Sequence, residues 1–286
     1  MPLSQRSAGQ RNAPGLVGAD ASAVPEQNSG MRSRNLWAML KRAGAALILG
    51  AGACACAAAG NSWKEEVLLH DGRSITVERS QTYGGRSEVG QGAPIRELRL
   101  SFELPGNSKT ISWISEYGEE MGRTNFKLLA LHVLGDVPYL VTVPNLCLSY
   151  NKWGRPNPPY VVFKHDGSNW NRIDLKELPP DFKTNNLMID TLGEKTTIAS
   201  QPFISAALVK SLNGRLEQPE YRSILRDNIP NAGGERCIPM VSNGKGLWRA
   251  QAWFDGKPTL EACRDGCRNE GFDEKTCPCN KIFEGK

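Results

Sequence analysis

The residues of this chain best equipped for chemistry are its eight cysteines. Four of them, Cys263, Cys267, Cys277 and Cys279, follow the spacing C-x3-C-x9-C-x-C near the C-terminus. Thr259 to Glu270 reads as a helix stopped at Gly271, and residues four apart on it stand one above the other, so Cys263 and Cys267 share a face. Cys277 and Cys279, two apart in a segment read as extended, also point to one side. Two sulfurs facing two sulfurs can close as side-by-side disulfides, or can hold a zinc ion as four thiolates. C-x-C is a tight fit for two ligands of one tetrahedral centre, and the export signal described below sends the chain where disulfides persist, so disulfides are expected and a metal is not. Cys147 and Cys237 remain for a third bridge tying the tail to the body, although six cysteines leave the connectivity open. Bridges of this size matter: closing a loop of about 15 residues is worth roughly 3 kcal/mol in the chain-entropy picture.

Conventional catalytic groups are scarce. The three histidines are His70 and His165, each before an Asp-Gly turn, and His132, set between Leu131 and Val133 in a strand-like run. Turn capping accounts for the first two and a satisfied core position for the third. HExxH, G-x-S-x-G and P-loop patterns are absent, so no cofactor is expected. Glu116, Glu119 and Glu120 cluster beside Tyr117, and a carboxylate pair of this kind serves glycoside hydrolysis, although a solvated loop is the ordinary reading of an acidic run. More informative is Tyr150-Asn151-Lys152-Trp153-Gly154-Arg155-Pro156-Asn157-Pro158-Pro159-Tyr160. Tyr150, Trp153, Arg155 and Tyr160 stand there among prolines and amides, where aromatic faces can stack on sugars or peptides and prolines limit the entropy lost on binding. The plainer alternative is a rigid loop whose rings plug the end of the body.

That stretch, continued through Val161-Val162-Phe163-Lys164-His165-Asp166-Gly167-Ser168-Asn169-Trp170, resembles a family of uncharacterised exported proteins of proteobacteria. The likeness covers roughly residues 63–226 and leaves the cysteine tail outside it. It implies export and supplies no activity. Residues 263–279 separately resemble the cysteine-stabilised αβ motif of defensin-like peptides. That family's additional cysteines are missing, so the likeness implies a local staple alone.

Export is also written near the N-terminus. From Met31, the positive stretch Arg32, Arg34, Lys41 and Arg42 precedes the short apolar run Ala43–Ala53 and a small-residue exit, the three parts of a secretory signal peptide. The run is shorter than the ~20 apolar residues of a membrane span, so no transmembrane span is expected in the mature chain. Residues 1–30 fit none of this and are read as a start-site artefact. Ala57-Ala58-Ala59 before Gly60 offers an ordinary cleavage pattern, while Cys54 or Cys56 offers a lipidation site in the alternative. The expected location is therefore the periplasm, or the membrane leaflet facing it. Residues 1–59 carry six Lys/Arg and two Asp/Glu, leaving 29 basic against 28 acidic residues in the remainder. That near-neutral balance provides no electrostatic footprint for nucleic acid.

The elements that must position these groups are mainly β. Val67-Leu68-Leu69, His70-Asp71-Gly72 and Ile75-Thr76-Val77 read as strand, turn and strand. Residues 78–94 read as a loop. Leu98, Leu100, Phe102 and Leu104 alternate with polar residues, turn through Pro105-Gly106-Asn107 and return through Ile111 and Trp113. Leu128–Leu134 and Tyr139–Val143 are apolar on both faces and read as central in their sheet. Tyr160–Phe163 and Trp170–Leu175 complete four hairpins, an antiparallel meander of about eight strands closing as a barrel or folding as a sandwich. A helix capped by Ser200 with Phe203, Ile204, Ala207, Leu208 and Leu212 on one face, and a short helix from Pro219, follow. Residues 226–246 read as a linker into the small disulfide-stapled αβ tail.

The expected organisation is a leader at 1–59, a β domain at 60–195, a helical segment at 196–229 and a Cys-rich tail at 230–286. The expected function is non-enzymatic binding of an envelope glycan or envelope protein through residues 150–160. The alternative is a hydrolase of envelope polymers using Glu119 or Glu120.

Overall fold

A computed structural model describes residues 60–284, with 88, 105, 107, 108, 116, 235 and 236 left undescribed. The leader, the lipidation candidates Cys54 and Cys56, Glu116 of the acidic run, and Pro105 and Asn107 of the second turn lie outside the described residues.

Strands β1 (Gly60–Leu68) and β2 (Ser74–Tyr83) pair antiparallel, Val67 opposite Ile75. Gly72 takes φ 86° in their turn, the conformation for which glycine is the default residue. Strands β3 (Ile95–Glu103) and β4 (Thr110–Ser115) follow, and then the two-residue pair β5 (Tyr117–Gly118) and β6 (Arg123–Thr124). Strands β7 (Phe126–Leu134) and β8 (Val137–Pro144) lead into helix α1 (Leu146–Lys152), and β9 (Val161–His165) and β10 (Trp170–Ile173) close the fourth hairpin. A 3-10 turn at Leu175–Glu177 comes next. The helical segment holds α2 (Lys195–Ser200), the short strand β11 (Phe203–Ile204), α3 (Ala206–Asn213) and α4 (Pro219–Arg222). In the tail, β12 (Met240–Ser242) pairs with β13 (Trp248–Ala250), followed by α5 (Gln251–Asp255), α6 (Leu260–Asn269) and α7 (Cys279–Glu284).

The meander folds as a sandwich. One sheet has the order β11-β1-β2-β3-β4 and the other β10-β9-β8-β7. Val67, Val77, Leu100 and Trp113 of the first sheet meet Phe126, Leu131, Leu140 and Val161 of the second in one buried cluster. The second sheet's other face is covered as well: Tyr139, Val141 and Val162 pack against Leu178, Phe182, Ile189 and Ile224. This explains the two-faced apolarity of β7 and β8.

Apolarity on both faces did not place β7 at the centre of its sheet, however, because it is an edge strand. Its free edge is closed by the strap 186–191 instead. The Asn186 amide accepts from Leu131 N (2.9 Å) and donates to Leu131 O (2.8 Å) and Leu68 O (2.9 Å), while Leu187 N donates to Leu129 O (3.0 Å). An edge covered in this way presents no ladder for a foreign strand.

A buried polar row fixes the rest of the strap. Glu65 and Arg79 are buried partners at 2.8 Å; Glu65 also accepts from Met188 N (2.6 Å) and Trp63 Nε1 (3.0 Å), and Arg79 donates to Met188 O (2.9 Å). Gln81 Nε2 reaches Thr191 O (3.1 Å), and Asn213 accepts from Ile189 N (3.2 Å) and donates to Leu187 O (2.8 Å). Buried charge survives only when paired and hydrogen-bonded, as here.

Four local expectations are corrected. Residues 78–83 continue β2 rather than opening the loop. The helix expected from Ser200 begins at Ala206 with Ser205 as its cap, its hydroxyl accepting from Leu208 N. Phe203–Ile204 instead runs parallel to β1, where Lys64 N donates to Pro202 O, and Phe203 is half exposed. Met240–Ser242, inside the expected linker, is a strand. Cys279 is not in an extended segment but opens α7, with Ile282 N donating to Pro278 O.

Candidate functional site

The loop 150–160 is held rigidly, and its aromatic rings do the holding. Tyr150 is buried at the end of α1; its ring lies against Gly233, where a β-carbon would come within 2.3 Å of it, and Gly233 has φ +81°. The Arg155 guanidinium covers the Tyr150 ring at 4.9 Å and donates to Asn151 Oδ1 (3.1 Å). Burial pushes the Tyr150 hydroxyl above its ordinary value. Asn151 is the hub of this corner: its amide donates to Cys147 O (2.8 Å) and Ile238 O (3.1 Å) and accepts from Met240 N (2.8 Å). Trp153 packs on Phe126 (ring centroids 4.6 Å), with Arg172 above it at 5.6 Å. Tyr160 is buried, its hydroxyl donating to Ser223 O (3.0 Å) and Glu220 O (3.2 Å) and accepting from Leu225 N (3.1 Å). Desolvation raises its pKa to about 12. The rings of Tyr150 and Tyr160 are buried pillars at this end of the sandwich rather than parts of an exposed face.

What the pillars carry is a groove of about 950 Å3 beside the loop. Pro156, Asn157 and Pro158 form one wall, and Arg172, Lys176 and Asn228 stand along the others. The Asn157–Pro158 peptide is cis. Both polar atoms of the Asn157 amide pair with the Ile229 backbone, donating to its oxygen (3.0 Å) and accepting from its nitrogen (2.9 Å). The opposite wall is tied by Arg226, which donates to the carbonyls of Leu175 (3.2 Å), Leu178 (3.0 Å), Pro179 (2.7 Å) and Phe182 (3.2 Å). Asp174 is spent as the cap of the 3-10 turn, reciprocated by Glu177. The charged side chains of the groove are Arg172, Lys176 and Arg226 against the single carboxylate of Asp174, a positive balance.

Glu119 and Glu120 line a second cleft, of about 540 Å3, together with Arg86, Tyr117, Lys152 and Lys245. The tail forms one side of it, and Ser242 Oγ donates to Glu120 Oε2 (3.0 Å). No histidine lines either cavity. His132 is buried, its Nε2 donating to Thr184 O (2.9 Å) and its ring stacked on Phe182 at 4.7 Å. Burial above all, with a lesser push from His70, lowers its pKa to about 4. His165 Nδ1 accepts from Gly167 N (3.1 Å), the turn-capping role expected of it.

The six tail and body cysteines form three disulfides: Cys147–Cys237, Cys263–Cys279 and Cys267–Cys277. No family model, curated protein or solved structure matches the chain. The residues missed from sequence are the polar ones in the core, Glu65, Arg79, Gln81, Asn186 and Asn213. A signal existed for the first three: Glu65 is in phase with Trp63 and Val67, and Arg79 and Gln81 are in phase with Ile75 and Val77, so alternation alone turns them inward. Arg172, Lys176 and Asn228 carried no such mark, since only the fold brings them beside 156–158.

Proposed function

We propose that this is an exported, non-enzymatic binding protein of the bacterial envelope, and that the groove beside 156–158 takes an extended acidic glycan. The observation that carries this reading is a groove with braced walls, prolines and amides along it, and a cationic balance of Arg172, Lys176 and Arg226 against Asp174. Braced walls lose little entropy on binding, and paired cations select an anionic chain. Export is supported by the signal-peptide pattern of 31–59 and by the three disulfides. Among the described residues no helix is long and apolar enough to cross a membrane, and a cut before Gly60 leaves β1 whole. The double variant Arg172→Ala/Lys176→Ala should bind acidic cell-wall glycan fragments about tenfold more weakly by calorimetry, as expected from two partly screened charge contacts. Unchanged affinity would exclude the groove.

A hydrolase of envelope polymers is the second reading, favoured by one observation: Glu119 and Glu120 line a cleft rather than an open loop. If it is right, Glu119→Gln or Glu120→Gln abolishes release of soluble fragments from purified envelope polymer. If wild type releases none, the cleft is not catalytic.

A further inference from the structure

In the tail, three sulfurs cluster, those of Cys267, Cys277 and Cys279, and the fourth, that of Cys263, is bonded to Cys279. Cys279 Sγ, bridged to Cys263, lies 3.4 Å from Cys267 Sγ and 3.3 Å from Cys277 Sγ, which are bridged to each other. The sulfurs of Cys267, Cys277 and Cys279 all lie within 4.8 Å of one another. A zinc ion bound about 2.3 Å from each of four thiolates sets neighbouring sulfurs roughly 3.8 Å apart, so the separations of Cys279 Sγ from Cys267 Sγ and Cys277 Sγ already approach those of a tetrahedral centre. The helix supplies two ligands from one face of α6, and Cys277 and Cys279, on either side of Pro278, bring their sulfurs to 3.3 Å of each other. Cys263, Cys267 and Cys279 are buried against Phe254 and Phe272, whereas Cys277 is only partly buried and is the route by which a reductant enters.

We propose that the tail has two alternative staples: two disulfides when oxidised, and one zinc ion on Cys263, Cys267, Cys277 and Cys279 when reduced. A dithiol reductant delivers two electrons and two protons to each bridge and is itself oxidised to a disulfide. Zn2+ then displaces the four thiol protons, and no further electron moves. The small core around Phe254 and Phe272 needs one staple or the other, because it is too small to hold α5, α6 and α7 alone.

The test uses the chain from Gly60 onward carrying Cys147→Ser and Cys237→Ser, so that only the four tail cysteines are left to report. It is reduced with a dithiol, freed of it without air, and titrated with Co2+ alone as a spectroscopic stand-in for zinc. The expected result is one Co2+ per chain, tetrahedral visible bands with thiolate charge transfer, complete displacement by Zn2+, and recovery of the helical circular dichroism lost on reduction. Cys277→Ser and Cys263→Ser should each weaken binding at least tenfold. Absence of thiolate–Co2+ absorption, two chains sharing one metal, or unchanged affinity in both serine variants would overturn the proposal. None of these outcomes bears on the groove.

Discussion

At the scale of single residues, buried polar groups give this fold its definition. Glu65 and Arg79 answer each other and clip Met188, so removing either leaves an uncompensated charge in the core. His132 is the buried group with a pH consequence. Its folded-state pKa of about 4 lies below the ordinary 6.5, so the unfolded chain holds more protons between those values. Its contribution is complete above pH 6.5 and fades as pH falls toward 4, a loss on the order of 3 kcal/mol. His132→Phe keeps the ring on Phe182, and it should flatten the stability curve in that window when followed by urea denaturation. His165, also lowered by burial, adds slope of the same sign, so the variant's curve flattens without becoming level. A slope identical to wild type would show that His132 is not held neutral.

At the scale of elements, the strap 186–191 closes the edge of β7 by the Asn186 amide together with one backbone bond, Leu187 N to Leu129 O. Asn186→Ala removes the partners of Leu131 N, Leu131 O and Leu68 O at once. Leaving such groups unsatisfied costs about 1–3 kcal/mol each where they are buried, so a loss near 3 kcal/mol is expected, with faster amide exchange along β7. Exchange unchanged at Leu131 would deny the strap this role. The four hairpins were legible because alternation and Asp-Gly turns are local signals, and β1 to β4 and β7 to β10 pair accordingly. The strap was not legible, because nothing in Asn186 or Leu187 says that its backbone partners lie 55 and more residues earlier. The helix start near 200 was misplaced for a related reason: Phe203 and Ile204 fit a helical face, but a parallel pairing with β1 claims them. The tyrosines of the loop were recognised as noteworthy, yet composition could not tell a ring that touches ligand from one that seals the end of a sandwich.

At the scale of the whole molecule, residues distant in sequence are joined by few but strong links. Cys147–Cys237 spans 90 residues and ties α1 to the strand pair of the tail, with Asn151 beside it. Cys147→Ser/Cys237→Ser should lower unfolding free energy by about 4 kcal/mol in the chain-entropy picture. Denaturant unfolding with a midpoint equal to wild type would mean that the other contacts of α1 suffice. The groove depends on the same long-range bracing, since its walls come from 156–158, 172–178 and 226–228. Amide chemical-shift mapping of the chain with an acidic cell-wall glycan fragment tests binding in the groove. Concentrated shifts are expected at Asn157, Arg172, Lys176 and Asn228, saturating together and weakening with added salt. Shifts confined to Glu119, Glu120 and Lys245, or none at the groove, would contradict it.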